Sequence, residues 1–271
     1  MNGRRGTRVA GSRALVTGAT GGLGAAIARA LAERGAELVV SGRRADVLEE
    51  LAGDLGARAV VADLADRDDV ERLCAECGEI DVLVANAGLP ADGPVLDYSP
   101  GQVDRALDVN LRAPLHLARA LAEPMVDRRR GHIVFMSSLS GKVATAHSGF
   151  YSATKYGLRG FASGMRQDLR GTGVGVSCIF PGPIRDAGMF AETGVDMPLG
   201  AGTRSPEDVG RAVIRAIERD VGEIDVATLP AKAWTLVGEI APATIARINR
   251  RFGGTTIAEA ISSSDAHRAK R

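Results

Sequence analysis

Tyr151-Ser152-Ala153-Thr154-Lys155 sets a phenol and an ammonium four residues apart. On a helix such a pair shares one face, with Cβ atoms roughly 5–6 Å apart. A free phenol, with a pKa of about 10, is a poor proton shuttle near neutrality. A neighbouring ammonium favours the phenolate and is expected to lower that value toward the working range. Both residue types are scarce here: there are three tyrosines, and Lys142, Lys155, Lys232 and Lys270 are the only lysines among 34 basic residues. A second constellation is Thr17-Gly18-Ala19-Thr20-Gly21-Gly22-Leu23-Gly24. It follows a short apolar run directly and opens a helical pattern. Glycines in that setting let the chain turn tightly and let backbone amides approach a pyrophosphate at a helix N-terminus.

The elements that must carry these groups are visible as alternation. Short apolar runs rich in β-formers occur at 14–16, 38–40, 59–61, 82–84, 133–135 and 176–179, and helical spacing separates them at 25–33, 45–51 and 103–122. Strands that are apolar without alternation suit a parallel sheet covered on both faces. The order predicts an α/β fold, a Rossmann-like doubly wound parallel sheet in a single domain over 12–252. Residues 1–11 are expected to form a flexible basic arm and 253–271 a disordered tail. Glycines and apolar residues at 186–205 break the rhythm and predict a lid loop. Ser205-Pro206-Glu207-Asp208 then signals a helix start, and 231–252 is expected to close the chain with one or two helices.

Composition removes several function classes. The chain has 271 residues, 45% apolar and 25% charged, the balance of an ordinary globule. A net charge of +1 gives no global field for nucleic acid or anionic lipid. No apolar run approaches the roughly 20 residues of a membrane-spanning helix. Three cysteines cannot form a paired framework, so a reducing, cytoplasmic setting is expected.

The glycine spacing is T-G-x-x-x-G-x-G through Gly18, Gly22 and Gly24, not G-x-G-x-x-G. With Tyr151 and Lys155 downstream, the chain resembles the short-chain dehydrogenase/reductase family over about 12–185. The resemblance implies hydride transfer between a nicotinamide and a carbonyl or carbinol carbon. Gly18, Thr20, Gly22, Leu23 and Gly24 would then face the cofactor. Gly42 stands where relatives that prefer NAD carry aspartate, and Arg43 and Arg44 follow. Guanidinium groups suit a 2′-phosphate, so NADP(H) is expected in preference to NAD(H). Asp63-Leu64 resembles the adenine contact, and Asn86-Ala87-Gly88 the turn beside the cofactor. Ser138, thirteen residues before Tyr151, matches the serine that hydrogen-bonds the substrate carbonyl, with Ser137 and Ser140 as neighbours. Asn110 matches the asparagine of the proton relay, and Lys155 the residue that bonds the ribose beside Tyr151. Pro181, Gly182 and Ile184 resemble contacts near the nicotinamide. Asp186, two residues beyond Ile184, departs from the family, whose members usually carry threonine there.

The resemblance further implies a homodimer or homotetramer paired through helices near 101–125 and 150–170. A small, hydrophobic carbonyl or alcohol substrate is expected, with neither nucleic acid nor integral membrane association. A sensor or scaffold that binds a dinucleotide without turnover is the alternative. Cys74-x-x-Cys77 lacks the second pair of a zinc site. His147 could touch substrate or face solvent, and no acid or nucleophile turn makes it part of a hydrolase.

Overall fold

The computed structural model describes residues 6–191, 193–194 and 202–251. Seven parallel strands form one sheet: β1 (Arg13–Thr17), β2 (Glu37–Gly42), β3 (Arg58–Val61), β4 (Val82–Ala85), β5 (Gly131–Met136), β6 (Val174–Pro181) and β7 (Glu223–Val226), in the order β3-β2-β1-β4-β5-β6-β7. The six apolar runs are the first six strands. The seventh escaped the sequence reading because Glu-Ile-Asp-Val alternates and lies half-buried at an edge. Helices cover both faces: α1 (Gly22–Glu33), α2 (Ala45–Leu55), α3 (Arg67–Glu76), α4 (Pro100–Leu107), α5 (Ala113–Asp127), α6 (Gly149–Asp168), α7 (Gly188–Ala191), α8 (Pro206–Arg219), α9 (Leu229–Ile240) and α10 (Pro242–Arg251).

Alternate strand residues feed two cores, as a buried parallel sheet requires. Leu15, Leu83, Ile133 and Phe135 pack with α3, α5 and α6. Ala14, Val16, Val84, Val134 and Ile179 pack with α1, α2 and α8. Strand order reverses between β1 and β4, and the crevice beyond the carboxyl ends of these strands is where such sheets bind ligands.

Two boundaries differ from expectation. The helix expected over 103–122 is broken by a π-helical turn, Asp108–Arg112, where the Ala113 amide reaches back to the Asp108 carbonyl. Residues 6–11 are tied down instead of free: the Thr7 amide donates to the Ile217 carbonyl at 3.0 Å and its hydroxyl to the Gly131 carbonyl at 3.0 Å. The expected start at Ser205 is a capping box with Asp208, and proline follows at the first turn. Two helices, α9 and α10, close the described chain. Of the expected lid, residues 192 and 195–201 lie outside the described residues, as do 1–5 and the tail 252–271.

Two glycines test this packing in opposite directions. A Cβ on Gly24 would stand 2.2 Å from the Gly18 carbonyl oxygen, so Gly24→Ala must push α1 off the preceding turn. A loss of about 1–3 kcal/mol is expected in urea unfolding. Gly53, inside α2, has no atom within 4 Å of an added Cβ. Gly53→Ala is therefore expected to gain about 0.5–1 kcal/mol by relieving chain entropy.

Candidate active site

The glycine turn is shaped by close backbone approach. Gly18 has φ +66, and a Cβ there would lie 2.7 Å from the Ala87 Cα. The Asn86 side chain donates to the Thr17 carbonyl at 3.0 Å, while the Asn86 and Ala87 amides donate to the Thr17 hydroxyl at 3.1 and 3.2 Å. The N-A-G turn after β4 thus braces the turn after β1. The N-terminus of α1, at Gly22, opens beside it with no side-chain cap. Unpaired amides at such an end favour an anion. Ala187 and Gly188 lie against Gly22 and Leu23, so the stretch after β6 crosses this turn.

At the end of β2, Gly42 is buried and Thr20 fills the space beside it: an added Cβ would meet Thr20 Cγ2 at 2.8 Å and Oγ1 at 2.9 Å. Arg43 and Arg44 are exposed, and Arg44 donates to the Thr20 carbonyl. Asp63 accepts from the Ala65 amide at 3.0 Å and from Arg105 at 3.0 Å. Burial works against its charge, but these two bonds outweigh it and hold the carboxyl below its ordinary range, with Arg43 adding to the effect. Arg105, on α4, was not anticipated from sequence. Leu64 is buried in the core behind Asp63.

Lys155 is buried, and its ammonium donates to the Met136 carbonyl at 2.9 Å. Burial pulls its pKa down to about 8. Gly88 lies beside it: a Cβ there would be in ordinary contact, 3.5 Å, with each of Lys155 Nζ, Asn110 Oδ1 and Met189 Cε. Asn110, fully buried, pairs with the Leu89 backbone in both directions, accepting at 2.6 Å and donating at 2.9 Å. The π-helical turn carries it there. Pro114, four residues on, has no N–H to offer the Asn110 carbonyl, a signal in the sequence for this irregularity.

Tyr151 lies on the same face of α6, and Lys155 Nζ is 5.5 Å from the centre of its ring. The Ser138 side chain faces the phenol, and its hydroxyl donates to the Pro181 carbonyl at 3.5 Å. The expected lowering of the Tyr151 pKa is not what the structure gives. Burial and the nearby Asp92 carboxylate push it up, against a smaller opposing effect of Ser138. The Lys155 ammonium points to Met136 instead, so the phenol keeps its proton. Ser138 also accepts from the Ser140 amide at 3.1 Å, whereas Ser137 turns away to donate to the Lys155 carbonyl at 2.9 Å.

Pro181 ends β6, and the Gly182 amide donates to the Val226 carbonyl at 3.0 Å. Ile184 is buried and pairs with Arg204. Asp186, with φ +66, is exposed and ion-paired to Arg185 at 3.3 Å. His147, also at positive φ, accepts through its carbonyl from the Gly93 amide at 2.5 Å. The Cys74 and Cys77 thiols are free, and burial pushes Cys77 up to about 11, which opposes the thiolate that a metal or redox role needs. Among the described residues no cluster could hold a metal ion.

A family model described as short chain dehydrogenase matches residues 12–197. This chain belongs to the short-chain dehydrogenase/reductase family. It is 36% identical over 261 residues to the ketoacyl reductase HetN of Nostoc sp., covering 91% of each chain. It is 39% identical over 183 residues to nodulation protein G of Rhizobium sp., covering 65% of this chain and 75% of the other. Among solved structures, a putative betaketoacyl-ACP reductase superposes with TM-score 0.74 at 32% identity, over 81% of this chain and 97% of the other. The closed form of a serine dehydrogenase complexed with NADP+ superposes with TM-score 0.72 at 30% identity, over 80% and 95%. The chain is thus a member of an oxidoreductase family that uses a nicotinamide cofactor.

Behind the Ser138 turn lies an ionic strut that the sequence did not disclose. Lys142, buried, places its ammonium 2.7 Å from Asp225 and 3.2 Å from Glu223, and 4.2 Å from the centre of the Phe180 ring. Arg159 of α6 grips Glu223 at 2.9 and 3.2 Å and reaches Glu239 of α9. Burial raises the Glu223 pKa, but the Arg159 and Lys142 hydrogen bonds hold it below its ordinary range. The Tyr156 hydroxyl donates to the Lys142 carbonyl. Lys142→Met strands the partly exposed Asp225 carboxylate and leaves Glu223 to Arg159 alone. It is expected to lose about 1–3 kcal/mol in denaturant unfolding, with Lys142→Arg recovering most of it; an unchanged midpoint for Lys142→Met would refute the strut.

Proposed function

We propose that the protein reduces a hydrophobic ketone, using NADP(H) in preference to NAD(H). The observation that carries this reading is Tyr151 on one helix face with a buried Lys155, its ring facing Ser138, at the same carboxyl edge of the sheet as the glycine turn. The residues fit a nicotinamide dinucleotide: Gly18, Gly22 and Gly24 let the turn close against Ala87, Ala187 and its own backbone, and the uncapped α1 N-terminus suits the pyrophosphate. When bound, the cofactor supplies the hydride. Arg43 would bond a 2′-phosphate, and Asp63 would accept from adenine beside Leu64. Thr20, Leu23, Asn86, Ala87, Gly88, Pro181, Gly182 and Ile184 would line the remainder, with Lys155 on the ribose.

Tyr151 acts as the acid. Its raised pKa keeps the proton on the phenol, ready for a developing alkoxide, while the Ser138 hydroxyl donates a hydrogen bond to the same oxygen. Lys155 and Asn110 bring a proton relay to the back of Tyr151. Pairing through α4–α5 and α6, as homodimer or homotetramer, is part of this reading, as is a cytoplasmic setting. Two similar proteins are named ketoacyl reductases, which favours acyl ketones among hydrophobic carbonyls. A sensor without turnover would have no use for the Ser138–Tyr151 pair.

Fluorescence titration is expected to give tighter binding of NADPH than NADH. Arg43→Ala should weaken NADPH about tenfold and leave NADH unchanged. Turnover on a panel of ketones should fall at least about 10²-fold in Tyr151→Phe. Tight NADPH binding without turnover on any ketone would favour the sensor. The kcat/KM for reduction is expected to fall as pH rises through about 8, where Lys155 gives up its proton. That limb should vanish from the residual activity of Lys155→Met.

A further inference from the structure

Arg105 reaches the candidate site from outside it. It lies on α4, a helix opened by the capping box of Ser99 and Gln102 with Pro100 in the first turn. Its guanidinium donates to Asp63 Oδ2 at 3.0 Å. The other carboxylate oxygen, Oδ1, accepts from the Ala65 amide at 3.0 Å, and the Asp63 amide donates to Asp69 Oδ2 at 2.7 Å. Arg112, in the π-helical turn after α4, donates to the Ala65 carbonyl at 2.8 Å and so ties the same stretch of chain a second time. The Asp63 and Arg105 side chains are 37% and 35% exposed, and a pair this open to water contributes little to stability. What it fixes is direction. A carboxylate bonded once on each oxygen is held against rotation, and each oxygen keeps a lone pair for a further donor. Burial opposes the charge on Asp63, but the Ala65 and Arg105 bonds outweigh it, so the carboxylate remains an acceptor.

We propose that Arg105 is a positioning residue for cofactor recognition, aiming the Asp63 carboxylate so that the site distinguishes a purine bearing a 6-amine from one without it. This rests on the reading of Asp63 as the acceptor for adenine. Arg105 acts through Asp63: its planar fork sets the angle of the carboxylate, which a lysine ammonium on a flexible stem would do less well. Selectivity among bases then depends on α4, an element that supplies neither the glycine turn nor the Tyr151–Lys155 pair.

The test is calorimetric titration of the full chain with NADP+ and with its analogue that carries unsubstituted purine in place of adenine and so lacks only the amine. The protein is expected to bind NADP+ about tenfold tighter than the analogue, the effect of one hydrogen bond to a charged acceptor. Asp63→Ala should bring that ratio close to one. Arg105→Ala should lower it at least about threefold through weaker binding of NADP+, with the analogue little changed, and Arg105→Lys should recover part of the loss. In the Asp63→Ala background, Arg105→Ala should have no further effect on the ratio. A merely structural role for Arg105 would weaken both nucleotides alike and leave the ratio as it was, which overturns the proposal. A ratio that rises in Arg105→Ala overturns it, as does a ratio near one in the unaltered protein. Each of these results leaves the proposed oxidoreductase standing so long as NADP+ binds tightly; binding of neither nucleotide would overturn both readings.

Discussion

Burying the Lys155 ammonium at the carboxyl edge of the sheet is the constraint to which the candidate site is fitted. An interior cation needs acceptors and close, polarisable company, or it gives up its proton. The Met136 carbonyl at the end of β5 answers part of that demand. The N-A-G turn and Asn110 lie around the same spot, with Asn110 and the Lys155 ammonium both neighbours of Gly88. Asn110 can reach it because a π-helical turn interrupts the helix above. Ser137 is fixed by the Lys155 carbonyl, and this leaves Ser138, one residue on, to face Tyr151.

The parts that could be inferred from sequence are those whose physics is local. The glycine turn, the tyrosine–lysine pair and the capping box at Ser205 each lie within a few residues of one element, so type and spacing were sufficient. Six strands were visible because burial on both faces makes them continuously apolar. β7 was not, since Glu223 and Asp225 interrupt the apolar pattern to serve Lys142 and Arg159. The π-helical turn was hidden for a related reason: helical periodicity tolerates one slipped residue, and only Pro114 marked it. The direction of the Tyr151 pKa depended on where the Lys155 ammonium points and on Asp92, neither of which spacing determines. Arg105 joined Asp63 across 42 residues of chain.

The strut of Lys142, Arg159, Glu223 and Asp225 gives β7 a purpose that its length does not suggest. Four residues of edge strand contribute little to a sheet by pairing alone. Their two carboxylates instead join the Ser138 turn to α6, the helix that carries Tyr151, while both cations lie against the Phe180 ring. Relative placement of serine and tyrosine is thus set from outside the cleft, by charges on the sheet margin.

The packing of Thr20 into the space beside Gly42 imposes an order on inheritance. A carboxylate at 42 brings a Cβ within 2.8 Å of the Thr20 methyl and 2.9 Å of its hydroxyl, so the Thr20 side chain must turn aside. A descendant acquiring it would do best to shrink residue 20 first, a step with nothing in itself to recommend it. The two positions are epistatic by contact.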